Sequence, residues 1–425
     1  MSVALSVARR LPFFYGWVVV GVAGSTMFVR NGAASLTLAV FVYPISQELG
    51  WSRTLIAGAA SLGGILATAA SPLAGWAVDR YGPRLVLLAS VLVLGLSTLS
   101  LAWASIPLAF YIAYATGRVI FSSPIQIGAS VAVSQWFIRQ RGRANAFLFL
   151  AHALGMGLFP LIAQVIMEMG GGEAWRQAWL GLGVLVWGVA LAPVALFLVR
   201  RPEDLGMLPD GDNRQATAGN RKTPSPSSET HWALGQATRT PALWLLALAG
   251  GLLFFVHAGV NIHIGAYLRD RGLAASVAAF AIALNAGFTG GGSLVWGFLA
   301  ERFPVRWLYV AVACTIAAAS LLFTTVDTVP KAFLGTALFG AGLAGMLVLP
   351  SVAFANYFGR RSLGSIRGAT EPFVSAGQAI GALLAGAIRD ATGSYQTAFL
   401  VFAGAALAGA VLLAVARPPR APHRA

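Results

Sequence analysis

The segment GWAVDRYGPR at residues 75–84 decides the fold, because a related segment, GFLAERFPVR, recurs at residues 297–306. Each copy follows the second long apolar run of its half of the chain. A second pair, WFIRQRG at 136–142 and YFGRRSLG at 357–364, is separated by nearly the same stretch of chain. Self-similarity at this long period predicts two repeated halves rather than one irregular domain.

The sequence around these segments is too apolar for a water-soluble protein. Of 425 residues, 57% are hydrophobic and 10% are charged, against about 45–50% and about 25% in soluble proteins. Twelve membrane spans of about 20 residues would occupy about 240 residues, which this length accommodates. We predict an all-α integral membrane protein with twelve transmembrane helices, at 14–38, 54–77, 84–105, 107–133, 144–168, 177–199, 241–267, 274–299, 307–326, 330–356, 368–388 and 394–416.

The positions of the basic residues predict the orientation. With the N-terminus in the cytoplasm, 21 of the 29 Lys and Arg residues fall on the cytoplasmic side, 6 fall outside and 2 lie within spans. Positively charged loops stay inside, so both termini are expected to be cytoplasmic. A polar linker at 200–239, expected to be disordered at 210–229, separates a six-helix half at 1–199 from another at 240–425.

Other features exclude several classes of function. The only cysteine, Cys314, lies in an apolar run, so neither an intrachain disulfide nor a metal cluster is expected. The net charge of +15 is scattered between apolar runs, which argues against nucleic acid as a partner. We find no nucleotide-binding loop and no nucleophile–base arrangement, and therefore predict no enzyme activity, no cofactor and no metal.

The first copy of the repeated segment resembles the loop motif of the major facilitator superfamily, G-x-x-x-D-R/K-x-G-x-R/K, at every defined position. Its residues are Gly75, Asp79, Arg80, Gly82 and Arg84, and the second copy keeps Gly297, Glu301 and Arg302. The resemblance implies a two-half transporter fold in which these residues form a cytoplasmic gate. The alternative is a solvated polar turn.

A narrower resemblance extends over nearly the whole chain. Six segments, in order, are similar to the bacterial monocarboxylate and oxalate/formate branch of that superfamily: YGW at 15–17, FVYPISQELGWSR at 41–53, WFIRQRGRA at 136–144, RRPEDLGMLPDG at 200–211, RTPALWLLAL at 239–248 and DATGSYQTAF at 390–399. This resemblance implies alternating-access transport of a small organic anion across the bacterial inner membrane, with proton symport or anion exchange.

Two arginines lie within predicted spans, where an unpaired charge is costly. Arg30 in the first span and Arg118 in the fourth fall at similar depths, about 12 Å and about 16 Å from the outer end at 1.5 Å per residue. In the superfamily's fold both spans line the cavity, so the two guanidinium groups are candidate ligands of one carboxylate. Each also has a structural alternative: an ion pair or hinge for Arg30, and a structural or proton-coupling role for Arg118.

Weaker candidates for binding the substrate or carrying a proton are histidine and asparagine residues and one glutamate. His152, His257, Asn261 and Asn285 are candidate substrate ligands, with hydrogen-bonded packing as the alternative for the histidines. Glu371 and His263 are candidate proton carriers, although an ordinary pair with Arg367 would also explain the glutamate. A set of aromatic residues in the spans either narrows the cavity or, as is usual for helix-spaced aromatics, serves packing: Phe28, Phe121, Phe254, Phe255, Phe288 and Trp296.

The resemblance fails at one informative place. Monocarboxylate carriers typically have an arginine in the eighth span, about five residues before the glycine that opens the loop motif, and an aspartate a turn earlier. Gly292 and Phe288 occupy those positions here.

We therefore predict a secondary carrier for a mono- or dicarboxylate, acting as a monomer in the lipid bilayer and coupled to protons or a counter-anion. A proton-coupled exporter of drugs or amphiphiles and a non-transporting membrane sensor remain as alternatives.

Overall fold

The computed structural model describes residues 2–170, 174–211 and 232–420, which form α-helices joined by short loops and turns. In chain order the helices are α1 (Ser2–Arg10), α2 (Gly16–Val29), α3 (Ser35–Leu49), α4 (Arg53–Tyr81), α5 (Pro83–Ser100), α6 (Pro107–Ser122), α7 (Pro124–Trp136), α8 (Arg141–Met169), α9 (Trp175–Phe197), α10 (Leu234–Ala237), α11 (Pro241–Asp270), α12 (Ala275–Leu299), α13 (Val305–Phe323), α14 (Val329–Phe358), α15 (Leu363–Thr392) and α16 (Gln396–Val415).

Eleven helical segments within the described residues are long and apolar enough to cross a membrane, with Gly16–Leu49 counted as one. The fourth predicted span, at 107–133, forms two helices instead: α6 has 16 residues and α7 has 13. Each is shorter than the roughly 20 residues that span a bilayer alone. The prediction of twelve spans therefore stays a prediction.

Several helices extend beyond their predicted apolar windows. Helix α15 begins at Leu363, ahead of the predicted window at 368–388. Glu371 therefore lies in the third turn of the helix, whereas the predicted window would have put it in the first turn. The added first turns are polar but still helical, because backbone hydrogen bonding continues where hydropathy falls.

The helix boundaries repeat with the period of the sequence motif. Helices α4, α5, α6 and α8 begin at residues 53, 83, 107 and 141, and α12, α13, α14 and α15 begin at residues 275, 305, 329 and 363. Every pair of starts has the same separation along the chain as the two copies of the loop segment, which begin at 75 and 297. The repeat thus includes the helices as well as the loops.

The chain divides into two compact units. The first comprises Met1–Gln140, Phe147–His231 and Arg360–Ala369, and the second comprises Arg141–Ala146, Trp232–Gly359 and Thr370–Ala425. Within the first unit α4 packs against α6 and α5 against α9; within the second, the corresponding pairs are α12 with α14 and α13 with α16.

The start of the predicted linker is folded. Asp210 accepts hydrogen bonds from the backbone N–H groups of Ile138, Arg139 and Gln140 at 2.9–3.2 Å, and its φ is 58°. A carboxylate held by three N–H groups just before α8 stabilises that loop. The expectation of disorder from residue 210 is therefore wrong for Asp210, and residues 212–231 lie outside the described residues.

Candidate functional site

Arg30 lies at a break in the first predicted span. Helix α2 ends at Val29, and Arg30–Ala33 form a 3₁₀ turn before α3. Within this break the Asn31 carbonyl oxygen accepts hydrogen bonds from the Ala34 N–H group at 3.1 Å and from the Thr37 hydroxyl at 2.7 Å. Arg30 is only 3% exposed, so its guanidinium group must find its partners within the protein.

Neutral groups on α6, α7 and α8 accept hydrogen bonds from Arg30. Nη1 donates to Oε1 of Gln126 at 2.8 Å and to the carbonyl oxygen of Phe121 at 3.2 Å. Nε donates to Nδ1 of His152 at 3.4 Å, and Nη2 lies 3.3 Å from Nε2 of the same ring. The arginine predicted from the first span and the histidine predicted from the fifth are thus in direct contact.

Phe121 joins Arg30 to Arg118. The guanidinium carbon of Arg30 lies 4.5 Å from the centroid of the Phe121 ring, and that of Arg118 lies 4.6 Å from it. These distances limit the separation of the two guanidinium carbons to about 9 Å, and both fall within the range of cation–π attraction. The ring therefore brings together the two arginines predicted to act on one ligand.

Arg118 has few polar contacts. Its Nε is buried without a hydrogen-bond partner, and within residues 2–170, 174–211 and 232–420 no side chain forms an ion pair with it. Gly63 on α4 leaves space for the stem, since a Cβ there would lie 2.6 Å from Cβ of Arg118. A buried donor without an acceptor is costly, so this guanidinium has capacity for a ligand.

The break between α6 and α7 shapes the site. Pro124 has no N–H group and disfavours helical geometry in the residue before it, and Ser123 takes φ −116° and ψ −77°. The Ser123 hydroxyl contacts the Ala67 carbonyl oxygen at 2.9 Å and the Ser71 hydroxyl at 2.7 Å, which anchors the break to α4. Because the helix is interrupted here, the Phe121 carbonyl is available to Arg30.

Asn31 and Gln126 belong to this site, although the sequence analysis did not select them. Asn31 is fully buried, and its Nδ2 lies 3.2 Å from both Nδ1 and the backbone oxygen of His152. Gln126 follows the break and holds Arg30. An amide next to an intramembrane arginine or an X-Pro break was the available signal, but neutral amides are less conspicuous in a span than charges.

The three candidate ligands in the second unit have different neighbours. Asn285 is buried against α14, and its Nδ2 is 3.5 Å from the Thr336 carbonyl oxygen. His257 lies between the rings of Phe254 and Phe339, with Nδ1 lacking a hydrogen-bond partner among the described residues. Asn261 is exposed.

The two proton-carrier candidates differ in their surroundings. His263 contacts the Tyr395 hydroxyl and the Ala382 carbonyl oxygen, each at 3.1 Å, so both ring nitrogens have hydrogen-bond partners. Glu371 is 8% exposed.

The aspartate of the first loop motif binds backbone N–H groups at the start of α15. Asp79 accepts hydrogen bonds from the N–H groups of Gly364 and Ser365, at 2.9 Å and 2.7 Å. Gly75 allows backbone contact, because an added Cβ would collide with the Gly364 carbonyl. Gly82 has φ 85°, Arg84 donates to the Ala195 carbonyl oxygen at 2.5 Å, and Arg80 is exposed.

The second loop motif makes equivalent contacts within its own unit. Glu301 pairs with Arg143 at 2.8 Å and also accepts the backbone N–H of Arg143 at 3.2 Å. Gly297 meets Gly142 backbone to backbone, and Arg302 is exposed. In both copies, therefore, an acid holds the start of a long helix and a glycine permits close approach.

The chain matches the family model of the Major Facilitator Superfamily over residues 22–369 and 266–425. An oxalate:formate antiporter of Oxalobacter formigenes is 27% identical over 395 residues, covering 89% of this chain and 87% of that protein. The human monocarboxylate transporter 11 is 26% identical over 422 residues, covering 94% and 82%.

Solved structures share the fold. The human organic anion transporter MFSD10 (TETRAN) superimposes with a TM-score of 0.71 at 17% identity, covering 95% of this chain and all of that one. The transporter FucP, in its outward conformation, gives 0.70 at 15% identity, covering 95% and 99%. The chain is thus a multi-pass membrane transporter rather than an enzyme, and it belongs to the Major Facilitator Superfamily, where it resembles the oxalate/formate and monocarboxylate branch.

Proposed function

We propose that this transporter carries a small mono- or dicarboxylate by alternating access, and that Arg30 and Arg118 bind its carboxylate. The observation that carries the proposal is the pair of guanidinium groups at one aromatic ring, 4.5 Å and 4.6 Å from the centroid of Phe121. The similarity to an oxalate:formate antiporter and to a monocarboxylate transporter supports the same class of substrate.

The contacts of Arg30 explain how the site receives an anion. The amide, the carbonyl and the imidazole that accept hydrogen bonds from Arg30 carry no negative charge. A carboxylate forms stronger, charge-assisted hydrogen bonds with a guanidinium group than these neutral acceptors do. An incoming anion can therefore replace them, while the unpartnered Nε of Arg118 supplies a further donor.

The packing around Gly292 supports a cationic site in the N-terminal half. A Cβ at Gly292 would lie 3.0 Å from the Ala344 Cβ on α14 and 3.5 Å from the Ala341 Cα. A side chain at this position would therefore press against α14. The cation that monocarboxylate carriers typically place there is accordingly assigned to Arg30.

We assign the remaining roles to neutral polar residues, to the proton carriers and to the two loop motifs. Asn31, Gln126 and His152 position Arg30, while Asn285, His257 and Asn261 remain proposed ligands of the rest of the substrate. Coupling is by proton symport or anion exchange, and Glu371 and His263 are the proton carriers that the sequence favours. The two loop motifs act as cytoplasmic gates.

We further propose the orientation and location of the molecule. Both termini are cytoplasmic, residues 200–239 link two six-helix halves at 1–199 and 240–425, and the transporter acts as a monomer in a bacterial inner membrane. The excess of Lys and Arg in the loops assigned to the cytoplasm supports this orientation.

Counterflow into proteoliposomes tests the substrate class and both arginines. The purified full chain is assayed with formate, lactate, pyruvate and oxalate, alongside Arg30→Gln, Arg118→Gln and, as a matched control, the exposed Arg239→Gln. We expect at least one acid to exchange and each intramembrane variant to lower the rate about tenfold or more, the effect of losing a charge-assisted hydrogen bond. Arg239→Gln should match the wild type. Absence of exchange above empty vesicles for every acid would exclude a carboxylate carrier of this kind.

A further inference from the structure

We propose that His152 takes up the proton that accompanies the anion, so that anion binding at Arg30 and protonation of His152 are linked. This inference rests on the proposed function, and it assigns the coupling step to the N-terminal half instead of to Glu371 or His263. It follows from the two nitrogen-to-nitrogen contacts between the arginine and the imidazole.

The first step concerns hydrogen-bonding capacity. A neutral imidazole has one acceptor nitrogen and one N–H group, whereas a protonated ring has only donors. Nδ1 lies 3.4 Å from Nε of Arg30 and 3.2 Å from Nδ2 of Asn31, so it faces two donors. Nε2 lies 3.3 Å from Nη2 of Arg30. A protonated ring would therefore meet a side-chain donor at both of its nitrogens.

The second step concerns charge. The Arg30 guanidinium faces His152 from the 3₁₀ turn, beside the neutral Asn31, and α6 presents the Phe121 ring, with its centroid 6.3 Å from the imidazole. Arg118 lies at that same ring, and α7 contributes the neutral Gln126 through Arg30. Among the described residues no carboxylate contacts His152. The charged groups around the imidazole are thus cationic.

The third step is the effect of substrate. A carboxylate that binds Arg30 takes over the guanidinium donors and adds a negative charge beside the ring. The imidazole is then released from accepting those hydrogen bonds, and its protonated form gains an ionic partner. One proton passes from water to the acceptor nitrogen as the anion binds, and returns to water when the anion leaves on the other side. For a monocarboxylate this cycle moves one proton with one negative charge.

The other described histidines lack this arrangement. Both nitrogens of His263 have hydrogen-bond partners in Tyr395 and Ala382. His257 lies between two aromatic rings, and no charged group contacts it among the residues described. Among the histidines that the structure describes, only His152 contacts a guanidinium group that is proposed to bind the substrate.

The test separates exchange from proton movement in the same proteoliposomes. Counterflow of the carboxylate best exchanged by the wild type reports anion binding and translocation, and an internal pH dye reports proton entry driven by an anion gradient, corrected for empty vesicles. The variants are His152→Gln, His152→Asn as a second replacement, and His263→Gln. We expect the His152 variants to lower proton entry at least tenfold relative to their own counterflow rate, because the ratio of the two rates separates proton transfer from any loss of anion binding. His263→Gln should keep the wild-type ratio.

A binding measurement on the wild type tests the linkage without any substitution. Linked protonation requires tighter anion binding as the pH falls from 8 to 6, by up to about tenfold per pH unit for one proton. Binding that does not change with pH would overturn the inference, as would proton entry that survives in the His152 variants or is lost only in His263→Gln. Wild-type exchange without proton entry would also overturn it and leave the carrier function intact. If the wild type exchanges no carboxylate, the proposed function fails and this inference falls with it.

Discussion

At the scale of single residues, Phe121 organises the candidate site more than its apolar side chain suggested. The sequence singled out Arg30 and Arg118 because a charge within a span needs a reason to be there. It offered no reason to separate Phe121 from other aromatic residues, since helix-spaced aromatics usually pack. Contacts between side chains from different helices have no signature in a single sequence, and the contacts that Asn31 and Gln126 make with His152 and Arg30 are of this kind.

Replacing Phe121 by leucine should weaken anion binding while leaving the fold intact. Leucine fills much of the same space but has no π face, so the attraction to both guanidinium groups is lost, at about 0.5–2 kcal/mol for each. We expect the dissociation constant to rise about tenfold, whereas Phe121→Tyr should stay close to the wild type. Titration of the purified protein with the best exchanged carboxylate measures this effect.

The matched control for this prediction is Phe280→Leu, at an exposed aromatic position in the second unit. Equal losses of affinity at both positions would show that the effect of Phe121 is not specific to the site.

At the scale of helices, the sequence predicted most elements but not the breaks within them. Apolar windows identified the long helices because hydrocarbon thickness sets their length. Helix continuity depends on local hydrogen bonding as well, so hydropathy did not reveal the 3₁₀ turn at Arg30–Ala33. Pro124 was a visible signal for the break at Ser123, although prolines at 44, 72, 160 and 350 lie inside continuous helices.

The close packing of α4 against α6 at Gly63 can be tested by substitution, and the next residue, Gly64, provides the control. A methyl group at Gly63 would lie 2.6 Å from Cβ of Arg118 and 3.1 Å from the Ala115 Cα, whereas a methyl group at Gly64 meets nothing within 4 Å. We expect Gly63→Ala to destabilise the protein by about 1–3 kcal/mol and to impair counterflow by displacing Arg118. Gly64→Ala should be neutral or slightly stabilising.

Thermal unfolding in detergent, together with counterflow, compares the two glycine variants. A Gly63→Ala protein as stable and as active as Gly64→Ala would contradict the tight fit of Arg118 against α4.

At the scale of the whole molecule, the repeat was the most predictable feature. A short loop segment and its distant copy set the period, and four pairs of helix starts follow it. Family and general function followed from this pattern, because the loop motif and the span order belong to one class of transporter. The identity of the substrate did not follow, since it depends on a few side chains that different helices bring together.

Single-cysteine labelling tests the proposed orientation of the molecule. After Cys314→Ala removes the one native cysteine, Asp327→Cys should react with a membrane-impermeant maleimide in intact cells. Arg239→Cys should react only after permeabilisation, because the distribution of Lys and Arg puts it in the cytoplasm. The reverse pattern would invert the topology, and labelling of both sites from outside would contradict the number of spans between them.

The break at Ser123 also has a consequence for hydrogen–deuterium exchange. Amides inside a membrane helix exchange slowly because each is bonded to a carbonyl one turn earlier. The first turn of α7 has no preceding turn to provide these carbonyls, and Pro124 has no amide at all. Ile125 and Gln126 therefore form a short stretch of exchangeable backbone in the middle of an otherwise protected segment. Because the side chain of Gln126 holds Arg30, deuterium uptake at this stretch should follow occupancy of the site without any label on the substrate.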